Sequence, residues 1–196
     1  GLKTRFELTT SGKSTRYNIG VTEPYYKDLP LLLSGDIFDE KNERSKQDID
    51  KTGFGLAVGF DVKDYFNKFS YTFVESKTTK SASSTAASIS GEEGIEIQTS
   101  SIGYLISKDT RDNFFNPKSG SRFLANTTFA GVGGDARFIK LESKYKNYTP
   151  FSYGDYVLSL AGNAGVITSV DDEKITSSNR FYFNSRSVRG FDRYGI

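Results

Sequence analysis

Three groups of residues have types and spacings that could do chemistry. Asp171, Asp172 and Glu173 are consecutive acids able to recruit a cation, although acids in an open polar stretch are ordinarily met by water. Arg111 stands between Asp109 and Asp112, close enough for charge-assisted hydrogen bonds that would fix a turn. Near the end of the chain, Ser187, Val188, Arg189, Gly190 and Phe191 set a guanidinium beside a conformationally free residue and a ring. The planar fork of an arginine can bond a carboxylate and a ring face at once.

The rest of the usual catalytic repertoire is missing. The 196 residues include no His and no Cys, which removes the commonest general base, the commonest metal ligand, thiolate sites and disulfides. There is no Ser-His-Asp or Cys-His grouping, no P-loop and no Gly-rich dinucleotide fingerprint. Residues 131–134, GVGG, lie beside strand patterns and lack the helix needed to hold phosphate. An enzyme is not expected, nor a metal or cofactor. A net charge of +2 with interspersed signs supplies no basic field for nucleic acid.

The elements that must position these residues are strands. The mean hydropathy is −0.49, and no window approaches the roughly eighteen unbroken apolar residues a membrane helix needs. A β-barrel is compatible with that value, because its strands alternate lipid-facing and water-facing side chains. Frequent Gly, 12 Tyr, 16 Phe and only 4 Pro make a β composition. Period-two alternation predicts about nine strands. Phe6 and Leu8 oppose Arg5 and Glu7; Tyr17, Ile19 and Val21 oppose Arg16 and Asn18; Leu31, Leu33 and Ile37 oppose Ser34 and Asp36, with Leu32 and Phe38 blurring the pattern. Phe54, Leu56, Val58 and Phe60 alternate with Gly55, Ala57, Gly59 and Asp61, large residues on one face and small on the other. Further on, Phe69, Tyr71 and Phe73, then Ile102, Tyr104 and Ile106, then Phe123, Ala125 and Phe129 form similar rows, with Leu124 as an exception. Ile139, Leu141 and Tyr145 alternate with Lys140, Glu142, Lys144 and Lys146. Those four charges must face water, since each would cost several kcal/mol in a dry core. A last row carries Tyr156, Leu158, Leu160, Ala164 and Val166.

The connections alternate in character. Residues 11–15, 39–52, 77–94, 131–136 and 168 onward are polar and read as loops, the Ser/Thr/Ala-rich run 77–90 as an exposed tip. Residues 23–30, 61–64, 111–120 and 150–155 are compact and aromatic. Long loops at one end and tight turns at the other fit an outer-membrane barrel. Tyr25, Tyr26, Tyr65, Phe66, Phe114, Phe115, Phe151, Tyr153 and Tyr156 gather at the turns as an interfacial girdle would. In the turns themselves, Pro24 has no amide hydrogen to extend a ladder, and Asn116, Pro117 and Gly120 have turn chemistry.

Three stretches in this order, VTEPYY (Pro24, Tyr25, Tyr26), DTRDNFFNPKSGSRF (Asp109, Arg111, Asp112, Pro117, Gly120) and SVRGF (Val188, Arg189, Gly190, Phe191), resemble the barrel region of BamA-type outer-membrane assembly factors, the bacterial surface antigen or outer-membrane insertase superfamily. The resemblance implies that residues 1–196 are one partial barrel domain of an all-β transmembrane antiparallel barrel, strands three to eleven and the sixth loop of roughly sixteen strands. Upstream periplasmic domains and the first and last barrel strands would lie outside it. In that family the sixth loop folds back into the lumen, with Arg189 as charged anchor, Gly190 as tight-backbone position and Phe191 as packing tip. The implied partners are the outer-membrane bilayer, unfolded outer-membrane client proteins, and assembly-machinery lipoproteins docked through the upstream domains. The implied location is the outer membrane of a Gram-negative bacterium. A two-partner-secretion-type translocation pore and a passive porin or adhesin barrel are the alternatives, and the second leaves SVRGF unaccounted for.

Overall fold

The computed structural model describes residues 1–12, 14–43, 47–80, 94–152, 156–171, 175, 176 and 178–181. Nine strands follow one another as a single antiparallel meander in which hydrogen-bonded neighbours are neighbours in the chain. They are β1 (Lys3–Ser11), β2 (Ser14–Glu23), β3 (Leu31–Glu43), β4 (Gln47–Val62), β5 (Tyr65–Lys80), β6 (Glu96–Asp109), β7 (Gly120–Gly134), β8 (Phe138–Phe151) and β9 (Tyr156–Ser169). The sheet does not close on itself, so β1 and β9 are its two edges.

Cross-strand register converts the alternation of each strand into two continuous faces. Phe6, Ile19, Ile37, Phe54 and Phe73 lie in one row across β1 to β5. Leu56, Tyr71, Ile102, Phe129 and Ile139 lie in the next, across β4 to β8. Rings pack along this face, Phe54 on Phe73 at 5.8 Å and Phe69 on Tyr104 at 4.8 Å between centroids. It nevertheless remains open to its surroundings: Phe6 is 69% exposed, Leu56 56% and Leu160 59%. An apolar patch of this extent is not sustained in water and marks a surface meant for another apolar phase.

The opposite face carries Arg5, Arg16, Asn18, Asp36, Lys51, Lys68, Ser70, Ser101, Asn126, Lys140, Glu142 and Lys144 in register. Its glycines bring the wall's backbone close to what covers it. The residues that blur the alternation belong here: Leu32 and Phe38 pair with Gly59 and Gly53, and Leu124 with Lys144. Phe38 lies over Gly53, where an added Cβ would stand 3.0 Å from its ring, and Arg16 stacks on its other side at 5.7 Å. A large inward ring over a cross-strand glycine restores packing that the glycine removes. The buried apolar residues Ile49, Ala130, Ala136 and Phe138 are few and sit toward the loop end of this inner face. The sheet is therefore built as a wall between two phases, with a small buried cluster of Ala130, Ala136 and Phe138 against Ile97 and Ile167.

Several expected loops are strand. β3 runs to Glu43 and β4 begins at Gln47, so 39–52 is mostly ladder; β5 extends to Lys80, and β7 to Gly134 through a register shift opposite Thr99 and Ser101. Polar side chains made these stretches resemble loops, yet backbone ladder bonds do not depend on side-chain polarity. The described connections consequently do not sort into long at one end and short at the other. The ends differ in another respect. Beyond Phe54 the outer face turns polar, Thr52 and Asp50 facing Asp39 and Lys41 on one side and Glu75 and Lys77 on the other, so these strands continue past the apolar belt.

Candidate functional site

Three places hold the residues singled out by the sequence. The turn between β6 and β7 is organised by side chains. Arg111 donates Nε to Asp109 Oδ1 at 2.8 Å and Nη2 to Asp109 Oδ2 at 2.6 Å, a bidentate pair, while its guanidinium stacks on Phe114 at 5.0 Å. Asp112 does not join it, contrary to the spacing argument. Its Oδ1 accepts instead from the amides of Lys118 at 2.9 Å and Ser119 at 3.1 Å. Those amides, Ser119 foremost, hold the Asp112 carboxyl below the usual carboxylate range. Asn113 Oδ1 accepts from Phe115 N and Asn116 N. Gly120 closes the motif with φ +93°, and a Cβ there would lie 2.2 Å from the Thr110 carbonyl oxygen. Pro117 is half-buried between these bonds. The motif is a rigid cap on a hairpin, with Phe114 67% and Phe115 92% exposed beside it.

The turn between β2 and β3 follows Pro24, which ends the ladder after Glu23. Glu23 Oε1 accepts from Tyr25 N at 3.3 Å, and a single 3₁₀ turn over Tyr26–Asp28 places Lys27 Nζ 5.4 Å from the Tyr26 ring. Tyr25, Tyr26, Tyr65, Phe114, Phe115, Phe151 and Tyr156 are exposed at this end of the sheet, as an interfacial belt requires. Phe66 departs from the expectation: it points inward, over Gly59, where a Cβ would stand 2.7 Å from its ring. Tyr153 lies outside the described residues.

The third place is the inner wall. A hollow of 420 Å³ on it is lined by Lys68, Ser70, Asn126, Thr128, Glu142 and Lys144. Ser178 and Phe181 lie against this wall. Lys51 Nζ of β4 donates to the Ser178 carbonyl at 2.9 Å, and Ser76 Oγ of β5 to Ser178 Oγ at 3.4 Å. On the other flank Phe181 takes Lys140 of β8 at 4.4 Å over its ring, and presses on Gly165 of β9. These contacts were not legible beforehand, since those of Ser178 join residues more than a hundred positions apart and those of Phe181 depend on which strands the sheet brings beneath it; the inward parity of Gly165, opposite Glu142, was the available signal. Val188, Arg189, Gly190 and Phe191 lie outside the described residues, as do Asp172 and Glu173. Asp171 pairs with Arg137 at 3.0 Å, and no cluster with metal-ligand spacing occurs among the described residues.

A meander with an apolar outer face, a polar glycine-rich inner face and an aromatic turn end is part of the wall of a transmembrane β-barrel. The domain model of the Omp85 superfamily matches residues 1–196, and the chain belongs to that superfamily. Outer membrane protein assembly factor BamA of Neorickettsia risticii is 32% identical over 109 residues, 56% of this chain and 14% of its own. Sorting and assembly machinery component 50 homolog A of Xenopus laevis is 24% identical over 198 residues, 99% of this chain and 42% of its own. The crystal structure of BamA from Haemophilus ducreyi lacking POTRA domains 1-3 superposes with a TM-score of 0.84 at 16% identity, over 100% of this chain and 41% of that one. The chain thus spans less than half the length of these relatives.

Proposed function

We propose that the protein carrying this chain is the central barrel component of an outer-membrane β-barrel assembly machinery, which folds and inserts outer-membrane proteins without enzymatic chemistry. The observation that carries the reading is the superfamily match over residues 1–196, in a chain whose Ser178 and Phe181 lie against the inner wall. The relatives named for assembly and sorting support it. Residues 1–196 supply wall and lumen loop. Arg189 is the charged anchor of that loop, Gly190 its tight-backbone position, Phe191 its packing tip and Val188 its lead-in. The Asp109, Arg111, Asp112, Pro117 and Gly120 motif and the Pro24, Tyr25, Tyr26 turn brace the periplasmic rim. Clients are unfolded outer-membrane proteins, whose strands gain at a barrel edge the backbone hydrogen bonds that lipid cannot supply. Lipoprotein partners dock on upstream domains, and the membrane is the outer membrane of a Gram-negative bacterium.

The test is the rate at which the full-length protein in liposomes renders an unfolded test barrel heat-modifiable. The wild type accelerates it over empty liposomes, and Arg189→Ala slows it while Arg189→Lys recovers part of the rate. A wild type no faster than empty liposomes overturns the proposal.

A further inference from the structure

The segment after β9 touches the inner wall at two separated feet. Ser178 bonds the adjacent pair Lys51 and Ser76 on β4 and β5. Phe181 occupies a seat made by Lys140 and Gly165, diagonal neighbours on β8 and β9. From β5 to β8 is three strand spacings, about 14 Å along the wall, whereas Ser178 to Phe181 advances at most about 10 Å. The Lys51 and Lys140 side chains and the phenylalanine ring reach inward from either side to close that span. Around the Ser178 foot the chain is internally tied, Asn179 N donating to the Thr176 carbonyl at 3.0 Å and Arg180 Nε to the Ile175 carbonyl at 3.0 Å.

The seat is specific. A Cβ on Gly165 would stand 2.6 Å from the Phe181 ring, so no other residue fits beneath it without displacing the ring. Gly162 of the same strand, three residues earlier and on the outer face, has nothing within 4 Å. Lys140 is held over the ring by Glu142 at 3.7 Å, and its side chain is only 22% exposed, which strengthens a cation–ring contact relative to one in open water.

We propose that residues 175, 176 and 178–181 form a strut across the inner wall, with Phe181, Lys140 and Gly165 as positioning residues that fix the point from which the chain proceeds toward Val188, Arg189, Gly190 and Phe191. What the strut presents rests on the assembly reading above; that it spans β4/β5 and β8/β9 does not. Residues 1–196 contain no cysteine, and the Ser76 and Ser178 hydroxyl oxygens stand 3.4 Å apart, so a Ser76→Cys, Ser178→Cys pair is installed in the full-length protein with any cysteine outside these residues replaced by serine.

The experiment follows oxidative locking of that pair by gel mobility in the heat-modifiable, membrane-embedded full-length protein. Rapid locking is expected. Phe181→Ala and Lys140→Met each slow it about five-fold, and Lys140→Arg, which keeps a cation over the ring, restores it. Absence of locking in the folded protein overturns the strut. Equal rates in all four backgrounds overturn the coupling of the two feet, and a Lys140→Arg defect as large as that of Lys140→Met overturns the cation–ring seat. None of these readings depends on client assembly, so a failed assembly assay with normal locking rejects the functional reading and leaves the strut standing.

Discussion

Replacing Gly120 by alanine is the sharpest perturbation of the hairpin cap between β6 and β7. At φ +93° a residue with a Cβ pays about 1–2 kcal/mol in backbone strain. Its Cβ would also lie 2.2 Å from the Thr110 carbonyl oxygen, so the strand ends must part. Parting them loosens two bonds, Thr110 N to the Ser121 carbonyl at 2.8 Å and Ser121 N to Thr110 Oγ1 at 3.0 Å, each worth about 0.5–1.5 kcal/mol net. The sum is a destabilisation of about 2–5 kcal/mol. Gly162→Ala is the control: nothing stands within 4 Å of its added Cβ, and the change should fall between neutral and a gain of about 1 kcal/mol. The assay is the urea midpoint of the full-length protein in lipid bilayers at unchanged slope, with hydrogen exchange at the Ser121 amide to localise the loss. Midpoints for the two variants that agree within about 0.5 kcal/mol would refute the reasoning.

Two further perturbations probe the faces and the cap. Leu56→Arg puts a charge in the middle of the outer belt and should cost about 2–4 kcal/mol of insertion stability, whereas Ser70→Arg, facing the lumen hollow, should cost little; equal effects in a bilayer-folding titration would contradict the assignment of faces. The Asp112 carboxyl is held low by the Ser119 and Lys118 amides, so its contribution is complete above the ordinary carboxylate range and disappears only as pH falls through the lower folded value. Exchange protection at the Ser119 amide should therefore persist to pH values where a free aspartate is already protonated, and loss of protection at or above about pH 4 would count against the bonding seen here.

All nine strands were legible as alternating runs, because one face of each had to be apolar and the other wet. Their ends were not. Beyond the belt the outer face is polar as well, so 39–52, 77–80 and 131–134 looked like loop, although ladder bonding carries most of them as strand. Phe38 and Phe66 broke the pattern for a physical reason: inward rings fill the space over wall glycines, a pairing across strands that a single strand cannot disclose. For Arg111 only the turn's path decides that it bonds Asp109 while Asp112 accepts from the Lys118 and Ser119 amides. The seat of Phe181 on Lys140 and Gly165 depends on which strands the sheet brings beneath a distant segment, so it was beyond local patterning.

The most direct test of the account gives the full-length protein in liposomes two substrates separately, an unfolded test barrel and an extended secreted polypeptide. The account predicts that the barrel becomes protease-protected in the bilayer while the extended polypeptide stays outside. Passage of the extended polypeptide into the liposome lumen, with the barrel left unfolded, would contradict it and make the protein an export pore.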